Sequence, residues 1–120
     1  MGITKTEKKY ELAIQDFTVA LGKTPNAVNT LWLRAQAYES VGKLYEAIKD
    51  YDRYIQLEPD DREAYFNIGL IYEYLKNYEN ALNNYKKANG LRRSDNLDEK
   101  IELMERIVST YSKDGGRTGE

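Results

Sequence analysis

The chain has 120 residues, 41% of them apolar and 32% charged, with 18 basic against 20 acidic side chains and a formal net charge of −2. That is one domain's worth of sequence with material for its own core, without the ~20-residue apolar run that spans a bilayer or the basic excess that attracts nucleic acid. His and Cys are both absent, which removes the usual general base, thiol nucleophiles, thiolate or imidazole metal sites and disulfides.

Met1-Gly2-Ile3-Thr4-Lys5-Thr6 opens like a myristoylation site, but the match is weak and no apolar signal stretch follows, so the expected compartment is cytoplasmic. Thr4-Lys5-Thr6-Glu7 reads as a capping box that opens a first helix over 5–22, with Leu12, Ile14, Phe17, Val19 and Leu21 as its apolar residues. A second helix is predicted over 27–41, where Leu31, Arg34-Ala35 and Tyr38 recur at helical spacing until Gly42, a residue that can end a helix in the left-handed conformation. A third follows over 44–57 with Leu44, Ala47, Ile48, Tyr51, Tyr54 and Ile55, and Pro59 stops it. Glu58-Pro59-Asp60-Asp61, the densest acidic stretch, lacks the spaced ligands and central Gly of an EF-hand loop. The fourth helix, 61–75, carries Tyr65, Ile68-Gly69, Tyr72 and Leu75; the fifth, 78–91, carries Tyr78, Ala81, Leu82, Tyr85 and Ala88. Asn96-Leu97-Asp98-Glu99 reads as a second capping box for a last helix over 96–111. Leu97, Ile101, Met104, Val108 and Tyr111 mark one face of it, and Asp98, Glu99, Glu102, Glu105 and Arg106 a solvated one. Residues 112–120 offer nothing to bury and are expected to be disordered.

The sequence repeats at an offset of thirty-four. Ala13, Ala47 and Ala81 fall on one another, as do Phe17, Tyr51 and Tyr85, while Tyr38 aligns with Tyr72, Ala35 with Gly69 and Pro25 with Pro59. A period of this size marks a helical solenoid with two helices per unit. It divides the chain into an N-terminal extension (1–7), the second helix of a partial repeat (8–27), copy one (28–61), copy two (62–95), a capping helix (96–111) and the tail. The small residues Ala35, Gly69, Ala47 and Ala81 fall where two helices cross closely, and the aromatics fill the space beside those crossings.

The pattern resembles the tetratricopeptide repeat. Copy two supplies Tyr65, Ile68-Gly69, Tyr72, Ala81 and Tyr85; copy one supplies Leu31, Ala35, Tyr38, Ala47, Tyr51 and Pro59. Arg34 at an aliphatic position, Tyr54 at an Ala, Lys76 at a Gly and Arg93 at a Pro depart from it without disturbing the phase. The resemblance implies an all-α, right-handed helical-hairpin solenoid of six antiparallel helices. It also implies a non-enzymatic interaction module, an adaptor or scaffold, that holds a peptide segment or partner protein in a concave groove and needs no cofactor or metal.

The groove side of the first helices presents Trp32, Leu33, Gln36 and Glu39 in copy one and Glu63, Phe66, Asn67, Leu70, Glu73 and Tyr74 in copy two. Trp32, Phe66, Leu70 and Tyr74 are expected to form one apolar patch. The carboxylate clamp of co-chaperones, which grips acidic chaperone tails, is matched only by Asn67. Trp32 and Gln36 stand where Lys and Asn belong, and Leu97 and Ile101 where Lys and Arg belong. An apolar or mildly basic segment therefore suits the groove better. The alternatives are a homodimer through the first helix, which has lost the neighbour a complete repeat supplies, or a fragment of a larger co-chaperone or scaffold.

Overall fold

In the computed structural model the backbone is described for residues 2–118 and side chains for residues 2–110. Six helices run in order: α1 (Lys5–Lys23), α2 (Val28–Ser40), α3 (Leu44–Leu57), α4 (Arg62–Tyr74), α5 (Tyr78–Leu91) and α6 (Asp95–Thr118), with no strand among the described residues. The chain forms two compact units, Met1–Pro59 and Asp60–Glu120. In the first, α2 packs on both α1 and α3; in the second, α5 packs on both α4 and α6.

Local chemistry sets the helix starts. Thr4 Oγ1 accepts the Glu7 N–H (3.0 Å), Asp61 accepts those of Glu63 and Ala64, and Asn77 accepts that of Asn80, so each satisfies donors that the first turn leaves orphaned. The α2–α3 turn passes through Gly42 at φ 78°, as the sequence suggests. Its counterpart thirty-four residues later, Lys76, adopts φ 62° without glycine's freedom.

The start of α6 differs from the expected capping box at Asn96. Ser94 is the cap: its Oγ accepts the Leu97 N–H (3.2 Å), and its carbonyl accepts that of Asp98 (2.9 Å). Ser94 is fixed from both sides, donating its own N–H to Asn89 Oδ1 and its Oγ accepting from Arg62 Nη2. Nor does the helix end at Tyr111, with 112–120 as an unstructured tail; α6 runs to Thr118, and residues 119 and 120 lie outside the described residues. No Pro interrupts this stretch, and once a helix is nucleated each further residue adds a hydrogen bond.

The core follows the repeat. Ala35, Ala47, Tyr51, Ala81 and Tyr85 have no exposed surface. A Cβ built on Gly69 would lie 2.5 Å from the Tyr85 ring, so only glycine allows this approach of α4 to α5. Arg34 shows why its departure from an aliphatic residue is tolerated. Its guanidinium meets the buried Asp50 carboxylate through two 2.7 Å bonds, donates to Thr18 Oγ1 on α1 and lies over the Tyr38 ring. The hydrogen bond to Asp50 raises the Arg34 pKa, against burial, which acts to lower it.

Candidate functional site

In the first unit, the outward side of α2 brings Leu33, Gln36 and Glu39 together with Ser40 and with Lys9, Tyr10, Ala13 and Phe17 of α1. They line a cleft of about 470 Å³. Leu33 stands 46% exposed at its edge. The Glu39 carboxylate accepts a hydrogen bond from the Tyr51 hydroxyl of α3, so this acid is part of the hairpin as well as of the cleft wall. Trp32 does not line this cleft. It turns toward α3, with its ring centre 5.2 Å from that of Tyr51 and 5.0 Å from that of Tyr54, and is half-buried there.

In the second unit, α4 presents Glu63, Leu70 and Tyr74 to solvent, Leu70 39% and Tyr74 77% exposed. Leu70 and Tyr74 are one turn apart and share a face. Asn67 and Phe66 are half-buried, and the Phe66 ring rests 5.8 Å from that of Tyr85. Glu73 accepts from the Tyr85 hydroxyl (2.7 Å) and from Lys100 Nζ of α6 (3.4 Å), and Lys100 also sits 5.4 Å above the Tyr85 ring. Burial, then the hydrogen bond to Glu73, push the Tyr85 phenol above its ordinary pKa.

The sequence reading groups Trp32 and Phe66 with Leu70 and Tyr74 in one apolar patch; in the structure both rings also pack on the Tyr of the following helix. The aromatic at the second-helix position needs a neighbour, and these two supply it. Missing from that reading are the paired Tyr51–Glu39 and Tyr85–Glu73 hydrogen bonds. Both pairs are twelve residues apart, and their recurrence at the repeat offset was the available signal. Among the described residues, no group of three or more His, Cys, Asp or Glu is placed to hold a metal ion, and no helix is long and apolar enough to cross a membrane.

Helical hairpins repeated at thirty-four residues, with a small residue and an aromatic at each crossing, define an all-α repeat protein of the solenoid class. The family model described as tetratricopeptide repeat matches residues 63–95, and one described as TPR repeat matches residues 40–76. The chain is a tetratricopeptide-repeat (TPR) domain protein. It is 30% identical over 107 residues to Hsp70-Hsp90 organizing protein 2 of Arabidopsis thaliana, an alignment covering 89% of this chain but 18% of that protein. It thus spans under a fifth of the length of that relative. The Sgt2 TPR domain from Aspergillus fumigatus is 26% identical with a TM-score of 0.69, covering 88% of this chain and 72% of that one. The first TPR of Spaghetti (RPAP3), bound to the HSP90 peptide SRMEEVD, shares the fold at a TM-score of 0.71 and 21% identity, over 85% of this chain and 82% of that one.

Proposed function

We propose that this chain is a protein–protein interaction module, an adaptor or scaffold that takes a peptide segment or partner protein on the faces of its first helices. In tetratricopeptide domains those faces line the concave groove. The supporting observation is the set of apolar side chains on them that build no core: Leu33 on α2, and Leu70 and Tyr74 on α4, all exposed. Apolar side chains gathered on one helix face favour cover from water at about 25 cal/mol per Å². Two of the similar structures named above are TPR domains, one of them bound to a peptide.

The preferred segment is apolar or mildly basic rather than an acidic chaperone tail. The positions that would carry clamp cations and amides hold Trp32, Gln36, Leu97 and Ile101, and Leu97 is buried. Without those cations, nothing repays desolvation of a bound carboxylate. Glu63 stands exposed beside the apolar face of α4 and favours a basic residue. A second reading, self-association through α1, rests on Leu12 and Val19, which are 50% and 61% exposed.

Isothermal titration of the full chain with two peptides of equal length tests this reading, one being SRMEEVD and the other rich in Leu and Tyr with one Lys. The lysine-bearing peptide should bind at least about tenfold more tightly, a difference of about 1.4 kcal/mol. Leu70→Ala with Tyr74→Ala should weaken it by a similar factor at unchanged melting temperature. Equal or tighter binding of SRMEEVD contradicts the reading. Trp32→Ala and Phe66→Ala are poorer tests, since each removes packing against a buried Tyr.

A further inference from the structure

We propose that Asn89-Gly90, in the last turn of α5, is a modification site: Asn89 deamidates there, and the carboxylate that results releases the start of α6. This is the only Asn-Gly step in the chain. The repeat does not call for either residue, since their counterparts thirty-four residues earlier are Ile55 and Gln56. Nor does packing call for the glycine. Gly90 is exposed, its φ lies outside the left-handed region, and a Cβ built on it would meet nothing within 4 Å. A glycine inside a helix also weakens that helix. What Gly90 does supply is an unshielded main-chain nitrogen beside the Asn89 side-chain amide.

Asn89 is the residue on which the loop between α5 and α6 closes. Its Oδ1 accepts the Ser94 N–H (2.9 Å) and its Nδ2 donates to Asp98 Oδ1 (2.8 Å), an orientation set by one partner that only donates and one that only accepts. In the reaction the Gly90 nitrogen gives up its proton to solvent base and attacks Asn89 Cγ. The bond from Cγ to Nδ2 breaks, ammonia leaves and a cyclic succinimide closes. Water then opens the ring at either carbonyl, leaving an aspartate or an isoaspartate at position 89. Water is consumed and ammonia released, with no oxidant or further reactant. In the folded chain both reacting groups are held, the Gly90 N–H within α5 and the Asn89 side chain by Ser94 and Asp98. Attack therefore waits on opening of the last turn of α5. An aspartate there has a carboxylate oxygen where Nδ2 stands, 2.8 Å from that of Asp98, with Arg93 the cation that reaches Asp98 (2.9 Å). Two carboxylates at that distance repel, so the donor that ties α5 to the first turn of α6 becomes a like charge.

The test incubates the full chain in mildly alkaline buffer, native and in guanidinium chloride, and maps the products by digestion and mass spectrometry. Aspartate and isoaspartate should accumulate at position 89 of the native chain at least about tenfold more slowly than in the denatured chain, because opening precedes attack. Asp98→Ala, which frees Nδ2, should speed the native reaction about fivefold, the worth of one hydrogen bond. Gly90→Gln, the residue of the first hairpin, should stop it at an unchanged or higher melting temperature. Amide exchange at Leu97 and Ile101 should rise in the deamidated chain and in Asn89→Asp, while Ala81 and Tyr85 stay protected. If Asn89→Asp does not fold, the chain deamidated in its native state supplies the same readout. Equal rates in native and denatured chains overturn the inference, as does no conversion of the native chain while the denatured one converts fully. Unchanged exchange at Leu97 and Ile101 after conversion overturns it too, by separating Asn89 from the hold on α6.

Discussion

Where α2 carries Arg34, α4 carries Ile68, and where α3 carries Asp50, α5 carries Asn84. The two hairpins are the same design at an offset of thirty-four, yet one crossing holds a bidentate ion pair and the other a buried aliphatic. The glycine positions are exchanged as well. The first hairpin has Ala35 at the crossing and Gly42 in the turn; the second has Gly69 at the crossing and Lys76, at positive φ, in the turn. Constant in both are the buried aromatic with its acid, Tyr51 with Glu39 and Tyr85 with Glu73, and the alanines Ala47 and Ala81. The repeat thus fixes spacing and volume at the crossing and leaves the chemistry of the neighbouring position open. In the first unit Arg34 also reaches Thr18, so one side chain joins all three helices.

The ion pair offers the largest effect. Asp50→Ala strands a partly buried guanidinium and should destabilise by about 3 kcal/mol. Arg34→Ile with Asp50→Asn, which copies the second hairpin into the first, should recover most of that loss in a denaturant melt. If the double variant is as damaged as the single one, the two crossings are not interchangeable. Next comes the glycine. Gly69→Ala forces its Cβ into a ring held by Glu73 and Phe66 and should cost about 1–3 kcal/mol. Ala35→Gly removes only a methyl and should cost about 0.5–1 kcal/mol. Equal losses would mean that the two crossings are equally tight.

The smallest effect belongs to the cap of α6, for which the first hairpin has no analogue: Ala27, at the N-cap of α2, makes no side-chain cap. Asp98 accepts from Asn89 (2.8 Å) and Arg93 (2.9 Å), and these bonds, Asn89 first, hold its carboxyl below the ordinary range. A lowered folded-state pKa gives stability that is present above the unfolded value of about 3.9 and is lost as pH falls through the folded value. Thermal melts of the wild type should therefore lose this increment in acid. Asp98→Asn should lack it at neutral pH and show a shallower acid slope. Parallel slopes would remove Asp98 from the cap.

Most of the fold was legible because its determinants are local and periodic. The first five helices lie within one residue of the expected boundaries, since Thr4, Gly42, Pro59 and the apolar spacing act over single turns. The start of α6 is ambiguous in the sequence because Ser94 and Asn96 are both capping residues. The choice between them is made by Arg62, a residue distant in sequence. Why Arg34 can depart from the aliphatic of the motif is not legible locally, since its partner Asp50 lies sixteen residues away on another helix. Of the candidate site, Leu33, Leu70 and Tyr74 were legible as exposed first-helix positions. The inward turn of Trp32 was not, because it depends on Tyr51 and Tyr54 of the next helix.

The central claim is that partners are taken on the first-helix faces. Amide shift mapping of the full ¹⁵N-labelled chain during titration with the lysine-bearing apolar peptide tests it most directly. The expected result is saturable shifts concentrated at Leu33, Gln36, Asn67, Leu70 and Tyr74. Shifts concentrated on the exposed second-helix residues Glu46, Lys49, Asn83 and Lys87, with the first-helix faces silent, would contradict it.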